Sequence, residues 1–219
     1  MSARGRLKLA VLISGRGSNM LAVARACESG RLNASIELVL SDRADAGGLA
    51  AAAAVSLATV SVTAGRGADQ QRLEAEIGAA IDRSSAELIL LAGFMRVLSP
   101  GFVARYSGRL LNIHPSLLPK YRGLHTHRRA LQAGEPQHGA SVHFVTAELD
   151  GGPIICQARV AVHAGDSEQS LAARVLEQEH RLYPFAVGLI ADGRLKLDEA
   201  GVLLDGRLLQ APLEVPDDP

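Results

Sequence analysis

Asn112 and His114 stand two residues apart at the end of an apolar run, in "LLNIHPSLLPKYRG". On an extended strand, residues i and i+2 share a face. An amide and an imidazole are therefore expected to point the same way. Alone, such a pair could simply satisfy loop carbonyls, as buried polar groups usually do. Asp150 is a third group, placed before two glycines and a proline in "ELDGGPII", just after the alternating run 139–146. The plainer role of that stretch is only to turn the chain. If the turn folds beside Asn112, its carboxylate favours the charged form of the imidazole. Amide and imidazolium then make two donors for one developing oxyanion, as acyl transfer requires. No Ser or Cys stands nearby in an elbow context, so the expected reaction is direct transfer to an amine without a covalent intermediate.

The stretch "SGRGSNM", residues 14–20, joins an apolar run to a helical pattern. Gly15 and Gly17 permit a tight turn. The helix that follows offers unpaired N–H groups and a positive dipole end. A phosphate is the expected ligand, with Ser18 and Asn19 capping the helix or binding an oxygen; a capped turn with no ligand is the alternative. The dinucleotide fingerprint wants a third glycine where Met20 stands, and the Walker lysine is missing. That leaves Asp42 a weak candidate for an NAD ribose. His125 and His127 lack the carboxylate or cysteine partners of a catalytic zinc site. They are expected to line the pocket or open the next helix, and no metal is expected.

These groups need a scaffold. Apolar runs at 7–14, 36–42, 58–63 and 87–93 alternate with helical patterns at 18–29, 46–55 and 68–83. This predicts a doubly wound, mostly parallel α/β sheet. Ligands of such sheets bind beyond the carboxyl ends of the strands, which selects Ser14–Asn19, Ala92–Arg96 and Asn112–His114. Further strands are expected at 139–146 and 153–162. A helix from about Ser167 to Ile190 follows, with Ser167 as N-cap and Pro184 kinking or breaking it. The tail reads as a hairpin with turns near 199–201 and 205–206.

The chain has 219 residues and is 47% hydrophobic, enough for a real core. Aromatics are 3%, which disfavours a stacking surface for single-stranded nucleic acid. Lys+Arg and Asp+Glu balance at 23 each, so no global charge draws the chain to nucleic acid or membrane. Cys27 and Cys156 suggest neither a disulfide framework nor structural zinc. A cytoplasmic location is expected.

Taken in order, "GRGSNM", "LAGFMRVLSP", "LNIHPSLLPKYRGLHTHRRAL", "GASVHFVTAELDGGPII" and "LEQEHRLYP" resemble the folate-dependent phosphoribosylglycinamide formyltransferases. The resemblance spans about residues 7–195. It implies a Rossmann-like fold and transfer of a formyl group from 10-formyltetrahydrofolate to glycinamide ribonucleotide, a one-carbon step of purine biosynthesis. It implies catalytic roles for Asn112, His114 and Asp150. Gly17, Ser18, Asn19, Met20 and Leu21 would hold the nucleotide phosphate, and Glu179 the ribose hydroxyls. Met95, Arg96, Val97 and Leu98, with Asn112, Thr146, Ala147, Glu148, Leu149 and Asp150, would bind the folate.

The whole chain, 1–219, is then one formyltransferase domain. Residues 1–100 form its nucleotide-binding half, 101–195 its catalytic and folate half, and 196–219 a hairpin and tail. The partners implied are small molecules, with no nucleic acid and no membrane, and a monomer or homodimer. The family often carries Asn where Asp42 stands. It also often carries an arginine near Gln70, which makes Arg66, Gln70 and Arg72 candidates to meet a ligand anion. Two related activities stand as rivals. A methionyl-tRNA formyltransferase would need an RNA-binding extension, and the acidic tail after Ile190 repels phosphates. A formyltetrahydrofolate hydrolase would add a regulatory domain before the first strand. A non-catalytic nucleotide-binding module would not need Asn112, His114 and Asp150 to converge.

Overall fold

A computed structural model describes residues 5–63 and 69–215; Arg66 lies outside them. The chain divides into two compact units, Met1–Leu111 and Asn112–Pro219. In the first, four strands pair in parallel: β1 (Leu7–Ile13), β2 (Ala34–Ser41), β3 (Thr59–Ser61) and β4 (Leu88–Leu91). Helices α1 (Ser18–Glu28), α2 (Gly47–Ala54) and α3 (Gln70–Arg83) connect them. The spatial order is β3-β2-β1-β4. The chain thus winds outward from β1, then returns to its other side, and the strand order reverses between β1 and β4. Leu9 to Ile13, Val39, Leu40, Ile89 and Leu90 have no exposed surface. Strands covered on both faces read as continuous apolar runs rather than alternating ones.

Helix α3 buries Leu73, Ile77 and Ile81, the apolar positions of its 3.6-residue pattern, and Asp69 caps it by accepting from the Gln71 N–H. A short helix α4 (Pro100–Arg105) was not expected. Its start is nevertheless encoded: Ser99 accepts from the Phe102 N–H and Pro100 opens the first turn.

Strand β5 (Leu110–His114) leads into the second unit. There β6 (Gln137–Phe144) and β7 (Ile154–Ala161) pair antiparallel, after the short helix α5 (Thr126–Gln132). Helix α6 (Glu168–Ala191) packs on both strands. Beyond it, β8 (Leu195–Asp198), β9 (Gly201–Leu204) and β10 (Arg207–Leu208) form a separate antiparallel sheet with turns where the tail pattern places them. The chain then returns as β11 (Leu213–Glu214), parallel to β7.

Two expectations are corrected. Strand β6 ends at Phe144, so Thr146 belongs to the following loop. Helix α6 also runs unbroken through Pro184. Leu182, Tyr183, Ala186 and Val187 around it are fully buried, and their packing outweighs the missing hydrogen bond. The helix starts in a capping box, Ser167 and Ser170 satisfying each other's backbone N–H. Among the described residues no helix is long and apolar enough to cross a membrane. Ser167→Ala is expected to destabilise the fold by about 1 kcal/mol, read as a lower urea midpoint with an unchanged slope.

Candidate functional site

In the second unit β5 ends with Asn112 and His114 on one face, while Ile113 is buried on the other. The loop after β6 brings Asp150 to them. Its Oδ2 lies 3.4 Å from His114 Nδ1 and its Oδ1 lies 3.5 Å from Asn112 Nδ2. Both side chains of the His114–Asp150 pair are only 8% exposed. Asp150 itself adopts a left-handed backbone, φ 47°, which Asp tolerates better than most residues. The Gly123 N–H donates to Asp150 Oδ2 at 2.8 Å, so two loops share one carboxylate.

A second imidazole completes the cluster, and the sequence reading missed it. His143, the penultimate residue of β6, has Nε2 at 3.2 Å from Asn112 Nδ2. Its Nδ1 lies 2.8 Å from the Phe144 carbonyl. An N–H at Nδ1 donates to that carbonyl, which leaves Nε2 to accept from the Asn112 amide. Burial lowers the His143 pKa and outweighs the raising effects of Phe144 O and Asp150, which favours the neutral ring this arrangement needs. The strand is irregular here: Val142 pairs with Cys156 but His143 with Ile154, which leaves Ile155 as an extra residue on β7. Such bulges re-aim side chains beside active sites.

His114 does not point both its donors at open space. Its Nε2 lies 3.0 Å from the Tyr121 carbonyl, while Nδ1 faces Asp150. Two ring N–H groups would satisfy both acceptors. The contacts to Asp150 at 3.4 and 3.5 Å are long and weak, hence exchangeable; catalytic hydrogen bonds often tighten only when substrate arrives.

Three further histidines lie on or beside α5 and β6. His125 occupies the N-cap position of α5, with φ 59°. His127 Nδ1 lies 3.2 Å from His138 Nε2. Among the described residues no three His, Cys, Asp or Glu groups cluster as metal ligands would.

In the first unit, Gly17 takes the N-cap of α1 at φ 72° without a side-chain cap. Ser18 and Asn19 are the first two residues of the helix that follows, and Asn19 is buried. The N–H of Leu21 already donates to the Gly17 carbonyl. Met20 is fully buried, so only its backbone could meet a ligand. Gly48, also missed, supports this loop from α2. Its N–H donates to the Gly15 carbonyl at 2.9 Å. A Cβ there would lie 2.5 Å from Ile13 Cδ1 and 2.9 Å from Gly15 O.

Met95 to Leu98 lie in a loop beyond β4, not at the strand end itself. Met95 and Val97 are each 66% exposed, while Leu98 is tucked in. A cavity of about 220 Å³ lies here, lined by Gln70, Leu73, Glu74, Arg96, Val97 and Leu98 among others. Gln70 Nε2 donates to the Val97 carbonyl and to Glu74. Arg72 pairs with Glu76 on the exposed face of α3. Asp42 is buried, its carboxylate held by Ser14 and Arg96, which removes it as a ribose acceptor. In the second unit Glu179 is buried on α6. Leu149 is half-exposed and Glu148 pairs with Arg122.

A parallel sheet whose order reverses between β1 and β4, a glycine turn opening α1, and an amide–imidazole–carboxylate cluster describe an acyl-transferring α/β enzyme. The formyl transferase family matches residues 7–187, and the chain belongs to that family. It is a formyltransferase. It is 51% identical over 203 residues to the phosphoribosylglycinamide formyltransferase of Escherichia coli strain K12, covering 93% of this chain and 96% of that one. The corresponding Haemophilus influenzae protein is 42% identical over 202 residues, covering 92% and 95%. The solved phosphoribosylglycinamide formyltransferase of Coxiella burnetii superposes with a TM-score of 0.91 at 45% identity, covering 96% of this chain and 100% of that one.

Two measurements test the geometry. Burial pushes His138 down to about 4 and His127 in the same direction from 6.5. Below about pH 6.5 the unfolded chain then binds protons the native one refuses, so stability falls with acidity. Unfolding free energy should drop by about 1 kcal/mol between pH 7 and 5.5 from His138 alone, and His138→Gln should flatten that slope in urea melts. Gly48→Ala should displace the Gly15–Gly17 loop, and isothermal titration should then show nucleotide binding weakened by about tenfold or more.

Proposed function

We propose that this formyltransferase moves the formyl group of 10-formyltetrahydrofolate onto the amine of glycinamide ribonucleotide, with Asn112, His114 and Asp150 as its catalytic groups. The observation that carries this reading is their convergence, within one unit, around one carboxylate. The amine attacks the formyl carbon and the carbonyl oxygen takes up negative charge. Asn112 turns an N–H from Asp150 toward that oxygen, and His114 turns its Nδ1–H the same way while Nε2–H stays on the Tyr121 carbonyl. Neutral His143 holds the Asn112 amide the right way round. The carbon–N10 bond then breaks. The amine gives up a proton, N10 gains one, and the contacting pair His114–Asp150 handles the exchange, directly or through water. The products are N-formylglycinamide ribonucleotide and tetrahydrofolate.

The nucleotide phosphate is assigned to the backbone of Gly17–Leu21, at the positive end of α1, and the ribose hydroxyls to Glu179. The folate assignment to Met95–Leu98 and to Thr146–Asp150 follows the family resemblance. Holding two reactants in register supplies much of the remaining acceleration. The reading carries with it a cytoplasmic location, small-molecule partners without nucleic acid, and a monomer or homodimer.

The decisive assay follows loss of the formyl group from 10-formyltetrahydrofolate with glycinamide ribonucleotide present or with water alone. Nucleotide-dependent turnover is expected; turnover in water alone would make the chain a hydrolase. Asn112→Ala should lower kcat by about 10²–10³, the scale of a lost oxyanion donor, and near-normal steady-state turnover would remove Asn112 from the mechanism.

A further inference from the structure

Asp42 follows directly on β2, and its side chain is 7% exposed. A carboxylate so buried persists only with partners for its charge. Both oxygens have one. Oδ1 accepts from the Ser14 hydroxyl at 2.6 Å, and Oδ2 accepts from Arg96 Nε at 2.7 Å. Because the Ser14 hydroxyl spends its hydrogen on Asp42, its oxygen is free to accept from the Met95 N–H, at 2.9 Å. Ser14 is the last residue before the glycine turn, and Met95 and Arg96 lie in the middle of the loop beyond β4. One carboxylate therefore ties the ends of β1 and β2 to the loop beyond β4.

The tethered segment has no regular structure of its own. It is held at Met95 N by Ser14, at Arg96 Nε by Asp42, and at Val97 O by Gln70. Asp42 makes one of these tethers and orients the hydroxyl that makes another. We propose that Asp42 is a positioning residue for the folate co-substrate: through Ser14 and Arg96 it fixes the Met95–Val97 segment, and so sets co-substrate affinity without touching the co-substrate. This rests on the assignment of Met95–Leu98 to the folate.

An amide in place of the carboxylate can serve one of the two donors but not both, since its NH₂ end opposes either the Ser14 hydroxyl hydrogen or the Arg96 N–H. Asp42→Asn keeps the shape and is the direct test. Its KM for 10-formyltetrahydrofolate should rise about tenfold, the scale of one charge-assisted hydrogen bond. Its kcat and its KM for the nucleotide should stay within about twofold. In an Arg96→Gln background, Asp42→Asn should add less than about twofold, because it acts through that side chain. Ser14→Ala, which leaves the ion pair, should give a smaller rise confined to the folate, and it keeps the test open if Asp42→Asn folds poorly. An unchanged folate KM in Asp42→Asn overturns the proposal. So does a parallel rise for both substrates, which marks general loosening, or independent multiplying effects in the double variant. Val97→Asp separates the two levels. If it leaves folate affinity intact, the folate assignment itself fails; if it weakens folate while Asp42→Asn does not, only the positioning role fails.

Discussion

The second unit depends on how a single carboxylate is shared. Asp150 faces His114 and Asn112 and accepts from the backbone of Gly123, so one acid gathers the end of β5 and two loops. A buried charge of this kind is costly without partners, and here it has three. The backbone bond to Gly123 is short and the side-chain contacts are long. That division leaves the acid anchored while its side-chain neighbours stay exchangeable. Neutral His143 adds a constraint from the other side, since its unprotonated nitrogen accepts from Asn112 and fixes which end of the amide is the donor.

The first unit solves a different problem with less chemistry. In the proposed reading its phosphate-holding groups are backbone, so precision there has to come from close packing. Gly17 is needed for its left-handed backbone and for the space Gly48 and Met20 leave it. Gly48 is needed because another backbone passes where a side chain would sit. Around the Met95 loop, precision comes instead from polar tethers supplied by Asp42, Ser14 and Gln70.

Local periodicity carried most of the fold. The apolar runs of β1, β2 and β4 and the pattern of α3 follow from solvent exclusion, which acts residue by residue. The Asn112–His114 pair was legible because a strand puts i and i+2 on one side. Asp150 was legible because its glycines mark a turn. His143 was not, because a bulge on the neighbouring strand, with no signal of its own, decides where that side chain points. Gly48 was hidden for a similar reason: its role is defined by a contact to Gly15 far away in the chain. Pro184 does not break α6, because the packing around it outweighs the local preference.

Strand β11 contains only two residues, yet it lies along β7 beyond the small C-terminal sheet. An outermost strand offers a row of unpaired amides and carbonyls to any passing chain. By laying its own end across part of that row, the protein withholds a template for intermolecular strand addition.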